Sequence, residues 1–144
     1  MKKALHKNFH IIRKLKPGKS ETYILAKWKP DKDIWLFGVA MGLLCCKNNN
    51  FELYLAVSKN PKLKGAYSEF FVPLKKDWLF YQQRDVYEDS SGIGDLVSYH
   101  FLPNEKAFFI KKGETIYIKV GALNKTNRAL EYDAFCNLYY SLAS

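Results

Sequence analysis

Residues 107–144 read AFFIKKGETIYIKVGALNKTNRALEYDAFCNLYYSLAS, and the alternation inside this stretch decides the fold class. Ile116, Ile118 and Val120 alternate with Thr115, Tyr117 and Lys119, so every second side chain faces the same side of an extended chain. Lys111-Lys112-Gly113-Glu114 predicts a turn before that strand, and Leu123 to Arg128 (LNKTNR) a polar turn after it. The chain then closes with Tyr132, Ala134, Cys136, Leu138, Tyr140 and Leu142 on one face of a long strand.

The same grammar extends upstream. Ser20 to Trp28 predicts a strand closed by Lys29-Pro30-Asp31. Ile34 to Cys46 is an unbroken apolar run of thirteen residues, too short for the roughly 20 that a membrane-spanning helix needs. Both of its alternate faces are apolar, which predicts a central strand covered on both sides, with a buried helix as the alternative. Gly38 and Gly42 weigh against the helix and mark a bulge or a close approach within a strand. Phe51, Leu53, Leu55 and Val57 alternate with Glu52, Tyr54, Ala56 and Ser58. Further strands are expected at Tyr67–Leu74, Trp78–Tyr87, Leu96–Leu102 and Ala107–Ile110, with a Lys-rich loop at 60–65 and an exposed acidic loop at 88–95. Seven to nine short strands without a convincing interior helix imply an all-β fold, a single antiparallel β-sandwich or barrel. The length, 144 residues, suits one domain, and ten Phe, ten Tyr and three Trp exclude general disorder.

Charge divides the chain unevenly. Residues 1–19 contain Lys2, Lys3, Lys7, Arg13, Lys14, Lys16 and Lys19 and no acid, whereas the net charge of the whole chain is +9. The expected organisation is therefore a basic N-terminal arm over 1–19 and a nearly neutral sandwich domain over 20–144. Leu5, Phe9 and Ile12 are spaced as one apolar stripe of a short helix, which Pro17-Gly18 would end. Such an arm suits nucleic acid, an anionic membrane surface or a groove on a neighbouring subunit, and its removal is expected to leave the fold intact.

No residue constellation identifies a reaction, and no catalytic residue, metal site, cofactor or small-molecule substrate is expected. Only His6, His10 and His100 occur, the last inside a predicted strand, and no phosphate-cradling glycine loop is present. Asp85, Glu88, Asp89 and Asp95 do not follow calcium-loop spacing and are expected as a solvated loop. Asn124-Lys125-Thr126 fits a glycan acceptor but is expected as a hairpin turn. Cys45, Cys46 and Cys136 form no metal pair and are expected as reduced thiols. Trp28, Trp78, Tyr117, Tyr139 and Tyr140 are the candidate packing or interface aromatics.

Lys111–Ser144 resembles the last two strands of jelly-roll sandwiches in virion proteins: a turn carrying glycine and an acid opens an alternating strand, and an aromatic-rich strand closes the chain. A basic arm preceding a sandwich is similar to the layout of capsid and vertex proteins. The resemblance implies a jelly roll and a non-enzymatic structural subunit of a virus or phage particle, made in the host cytoplasm and located in the virion. Capsid vertex, minor capsid and decoration proteins are the specific forms implied, and homo-oligomers with other virion proteins the implied partners. Two alternatives from the residues stand beside it: a single-stranded nucleic-acid-binding protein with an OB-like barrel, and a carbohydrate- or receptor-binding head.

Overall fold

The fold, obtained as a computed structural model, is described for residues 3–45, 51–61, 78–86 and 94–143. Nine strands follow in chain order: β1 (Leu5–Leu15), β2 (Ser20–Trp28), β3 (Ile34–Cys45), β4 (Phe51–Ser58), β5 (Trp78–Val86), β6 (Gly94–Phe101), β7 (Phe108–Ile110), β8 (Ile116–Asn124) and β9 (Leu130–Leu142). Most lie where alternation and turn residues place them. The expected strand at Tyr67–Leu74 falls outside the described residues.

The pairing is nested and wholly antiparallel: β1 with β9, β2 with β8, β3 with β6, β4 with β5. Successive pairs alternate between two sheets, which is a long hairpin rolled upon itself, a jelly roll. One sheet runs β1-β9-β3-β6, with the short β7 sharing the β3 edge with β6, and is called here the five-strand sheet. The four-strand sheet runs β2-β8-β4-β5. The expected antiparallel sandwich is what forms, in place of the alternative OB-like barrel.

Between the sheets lies one apolar core. Ile34, Leu36, Val39 and Met41 from β3 and Ala134, Cys136 and Leu138 from β9 face Leu55 and Val57 from β4 and Ile116, Ile118 and Val120 from β8. Each of these Ile, Leu, Val and Met side chains gives about 1.5–3 kcal/mol by leaving water. Leu15 and Leu130, partners in register at the end of β1, close one end of the core. Cys136 is a free buried thiol, and burial pushes its pKa up, away from reactivity.

The two glycines of β3 have separate reasons. The register against β9 shifts between Leu36 and Gly38, a bulge that moves one residue out of phase. At Gly42 the Phe135 ring of the neighbouring strand lies where a Cβ would sit. The bulge also corrects the expectation that β3 is covered on both sides: Ile34 and Leu36 are buried inward, while Trp35 is exposed.

The largest correction concerns residues 1–19. The described part, 3–19, forms neither a detached arm nor a helix at Leu5–Leu15, because β1 pairs with β9 over all eleven residues without a register shift. In a strand the supposed helical stripe is split. Phe9 packs against the core, whereas Ile12, an odd number of residues away, points out of the sandwich. Eleven residues of ladder and one core leucine outweigh helix propensity in a short basic segment.

Candidate assembly surface

The outward side of the five-strand sheet gathers the exposed apolar side chains. Gly38 lies in register between Tyr139 on β9 and Phe101 on β6, and carrying no side chain it leaves room for their rings to meet at 5.3 Å. Tyr139 continues the row to His6 on β1 (6.2 Å), its register partner, and Phe101 continues it to the bulged Phe37 (6.4 Å). Trp35 and Phe109, opposite one another on β3 and β7, stack in a tilted pair at 5.0 Å. Exposure is 55% at Phe101, 55% at Ile12, 43% at Phe109 and 39% at Trp35, and these are all the exposed large hydrophobics among the described residues. All four belong to this one face by strand alternation.

The outward side of the four-strand sheet differs. Ala56, Ser58 and Lys119 occupy outward positions there by alternation, yet each is fully buried. Among the described residues the exposed large apolar side chains therefore lie on one side. Toward the Leu15 end of the five-strand face polar groups take over: His10 lies 3.6 Å from Asp133, and Lys14 is the register partner of Glu131.

Of the aromatics singled out in the sequence, only Tyr139 belongs to this row. Trp28 and Tyr140 pack on each other at 4.9 Å and against the core, so they hold the sandwich together. Tyr117 is half-buried on the outward side of the four-strand sheet, and the side chain of Trp78 falls outside the described residues. Trp35, Phe101 and Phe109 were missed because the β3 bulge, which turns Trp35 outward and puts Gly38 opposite Phe101, has no unique sequence signature.

The basic residues separate by role. Lys2 falls outside the described residues; Lys3 precedes β1, Lys7 and Lys14 are exposed on it, and Lys16 and Lys19 flank its turn to β2. Gly18 adopts φ 69° in that turn, a left-handed conformation that glycine takes without a Cβ clash. Leu5 is half-buried at the start of the strand. Arg13 instead clamps the two sheets. Its Nε and Nη2 donate to Glu21 Oε1 and Oε2 at 3.0 and 2.9 Å, and its guanidinium lies 4.6 Å from the Tyr23 ring centre. Tyr132 donates to Glu21 Oε1 at 2.7 Å and shares a 2.7 Å hydrogen bond with Tyr23. Burial would raise the Glu21 pKa, but the hydrogen bonds from Arg13 and Tyr132 outweigh it and hold the carboxyl below its ordinary value. Burial pushes Tyr23 up to about 12 and Tyr132 up further.

A second polar centre fixes the turns beside the basic residues. Asn124 is fully buried, and its Nδ2 donates to the carbonyls of Leu15 (3.0 Å) and Arg128 (2.9 Å). Its Oδ1 accepts from the Thr126 N–H (2.9 Å) and hydroxyl (2.6 Å). Backbone bonds from Gly18 to Asn124 and from Asn124 to Lys19 tie the β1–β2 turn to the β8–β9 turn. The Nδ2 that a glycan would need is thus engaged twice inside the fold, and the segment serves as the turn that its sequence suggests.

No family model matches the chain, and no curated protein matches it. Among solved structures it is similar to tomato aspermy virus, with TM-score 0.52 and 12% identity over 98% of this chain and 79% of that one. The cyanophage Pam1 capsid asymmetric unit gives TM-score 0.51 and 10% identity over 98% of this chain and 86% of that one. The decameric BFDV capsid protein gives 0.50 and 7% over 99% of this chain and 100% of that one. The likeness is one of fold: this chain is a jelly roll of the kind those viral proteins contain.

Proposed function

We propose that the chain is a non-enzymatic structural subunit of a virus or phage particle, as a vertex, minor capsid or decoration protein. It associates with copies of itself and with other virion proteins through the aromatic outer face of the five-strand sheet. The observation that carries this reading is the one-sided exposure of Trp35, Phe101, Phe109 and Ile12 on a rigid jelly roll. Four strands about 4.8 Å apart and about 11 residues long present roughly 700 Å². One side of a standard protein interface buries about 800 Å². The subunit is made in the host cytoplasm and acts in the virion, with the basic first strand contributing to its anchoring.

Light scattering on the purified full chain across a concentration series tests the proposal. A defined oligomer that Trp35→Ser with Phe101→Ser converts to folded monomers supports it. A wild-type monomer at every concentration, or an oligomer that the double variant retains, removes the assembly role of this face.

A further inference from the structure

The free edge of β1 points to a specific kind of partner. β1 terminates the five-strand sheet, so one side is fully paired with β9 while no strand lies along the other among the described residues. Alternate residues of such an edge direct N–H and C=O groups outward, ready for another extended chain. The edge has a single sign of charge. Leu5–Leu15 carries His6, Lys7, His10, Arg13 and Lys14 and no acid, with Lys3 before it and Lys16 and Lys19 after. Arg13 is engaged by Glu21 and His10 by Asp133, whereas Lys3, Lys7, Lys14, Lys16 and Lys19 make no ion pair among the described residues.

Three occupants compete, and the geometry separates them. A second copy of β1, laid antiparallel about His10, would set Lys7 against Arg13 and His6 against Lys14, and like charges directly opposite disfavour pairing. A membrane surface would need an apolar strip along the edge itself, but of the large apolar side chains of β1 only Ile12 is exposed, between His10 and Lys14 on the same face. A phosphodiester backbone would meet the lysines but cannot complete a ladder of alternating N–H and C=O groups. We infer that the edge of β1 receives an acidic, extended polypeptide segment from another chain, which adds a strand to the five-strand sheet by main-chain pairing, with its carboxylates set against Lys7, Lys14 and their neighbours. The inference rests on the reading of the chain as an assembling subunit and names the chemistry of one neighbour.

The test uses the full chain, ¹⁵N-labelled, and an end-blocked peptide about twelve residues long that repeats threonine-threonine-glutamate-glutamate, so that carboxylates lie on both faces of the added strand, as Lys7 and Lys14 lie on both faces of β1. Binding is expected to slow hydrogen exchange at alternate amides of Leu5–Leu15 at least tenfold and to weaken as salt is raised. Lys7→Glu combined with Lys14→Glu, both exposed and off the core, is expected to weaken binding about tenfold or more. A peptide with proline replacing every threonine keeps the charge but loses half of its N–H donors and cannot run a continuous ladder, and is expected not to bind. No protection at about 1 mM peptide overturns the inference, as does equal binding of the proline peptide. Tighter binding of a ten-nucleotide oligothymidylate, or of phosphatidylserine vesicles, overturns it in favour of those ligands. The oligomer formed through Trp35 and Phe101 is measured without peptide, so the failure of either proposal is seen separately.

Discussion

Replacing Asn124 by Asp changes one atom's chemistry and almost no volume. In the native fold Nδ2 sits 3.0 Å from the Leu15 carbonyl and 2.9 Å from that of Arg128, in a fully buried position. An aspartate puts an oxygen there, facing two carbonyl oxygens, and places a charge where water cannot reach it. Alanine merely leaves those two carbonyls and the Thr126 N–H without their partner. The Arg128 carbonyl keeps the Thr126 hydroxyl as a donor, so two groups are left unsatisfied, and at about 1–2 kcal/mol each Asn124→Ala is expected to lose about 2–4 kcal/mol. At about 2–4 °C per kcal/mol for a chain of this size, the midpoint drops by roughly 4–16 °C. Asn124→Asp is expected to lose more than Asn124→Ala at pH 7 and to recover partly on acidification, which returns one proton donor to the position. Thermal melts of the three proteins followed by circular dichroism at pH 4 and pH 7 check this. An Asp variant as stable as the wild type, or less damaging than Ala at pH 7, would refute the assignment of Asn124 as the donor that joins the two turns.

Deleting residues 1–19 is expected to unfold the protein, since it removes β1 and strips the β9 edge; a cooperative melt by the truncated chain would show the first strand to be dispensable. Leu15→Ala tests the same point at one side chain, with about 2–5 kcal/mol lost in urea denaturation if the core closes there as described. Gly42→Ala sets a methyl against the Phe135 ring and is expected to cost about 1–3 kcal/mol, with recovery in the double variant that also carries Phe135→Leu. Tyr23 links stability to alkaline pH. Its folded pKa of about 12 lies above the ordinary 10.0, so its contribution is complete below pH 10 and is lost as pH rises toward 12. Allowing for partial exposure, the wild type should fall by about 1–2 kcal/mol more than Tyr23→Phe over that window, and parallel curves would contradict the linkage. Glu21 acts at the other extreme: its folded pKa is lowered, so its contribution holds above the ordinary 4.5 and fades as acid protonates it.

Local chemistry made most of the fold legible. Period-two alternation gave β8 and β9, and the inward set of β9 is buried from Leu130 to Leu138 as the pattern requires. Gly38 and Gly42 announced a bulge and a close approach, and one of each occurs. What sequence could not supply was partnership. Arg13 looks like any other cation of the first nineteen residues until Glu21, Tyr23 and Tyr132 are brought around it. Trp28 and Tyr140 could serve packing or an interface on sequence alone, and the nested pairing decides for packing by turning them toward one another, more than a hundred residues apart in the chain. Charge composition misled for the same reason, because lysines on an edge strand and lysines on a loose tail have the same sequence.

The rolled topology also imposes a timetable on synthesis. Leu15 pairs with Leu130 and Leu5 with Tyr140, so β1, which is made before β2 to β9, finds its mate only when all of those strands have followed. Until then its hydrogen-bonding groups are idle, and no early hairpin can shelter them. Local encounters therefore contribute little to the nucleus, and a chain knit by such distant meetings folds on the slow side, over milliseconds to seconds. During that wait, like charge on the lysines of neighbouring copies disfavours pairing of the unfinished strand with another chain, so the same residues that mark the edge of the finished sheet also guard it before its mate arrives.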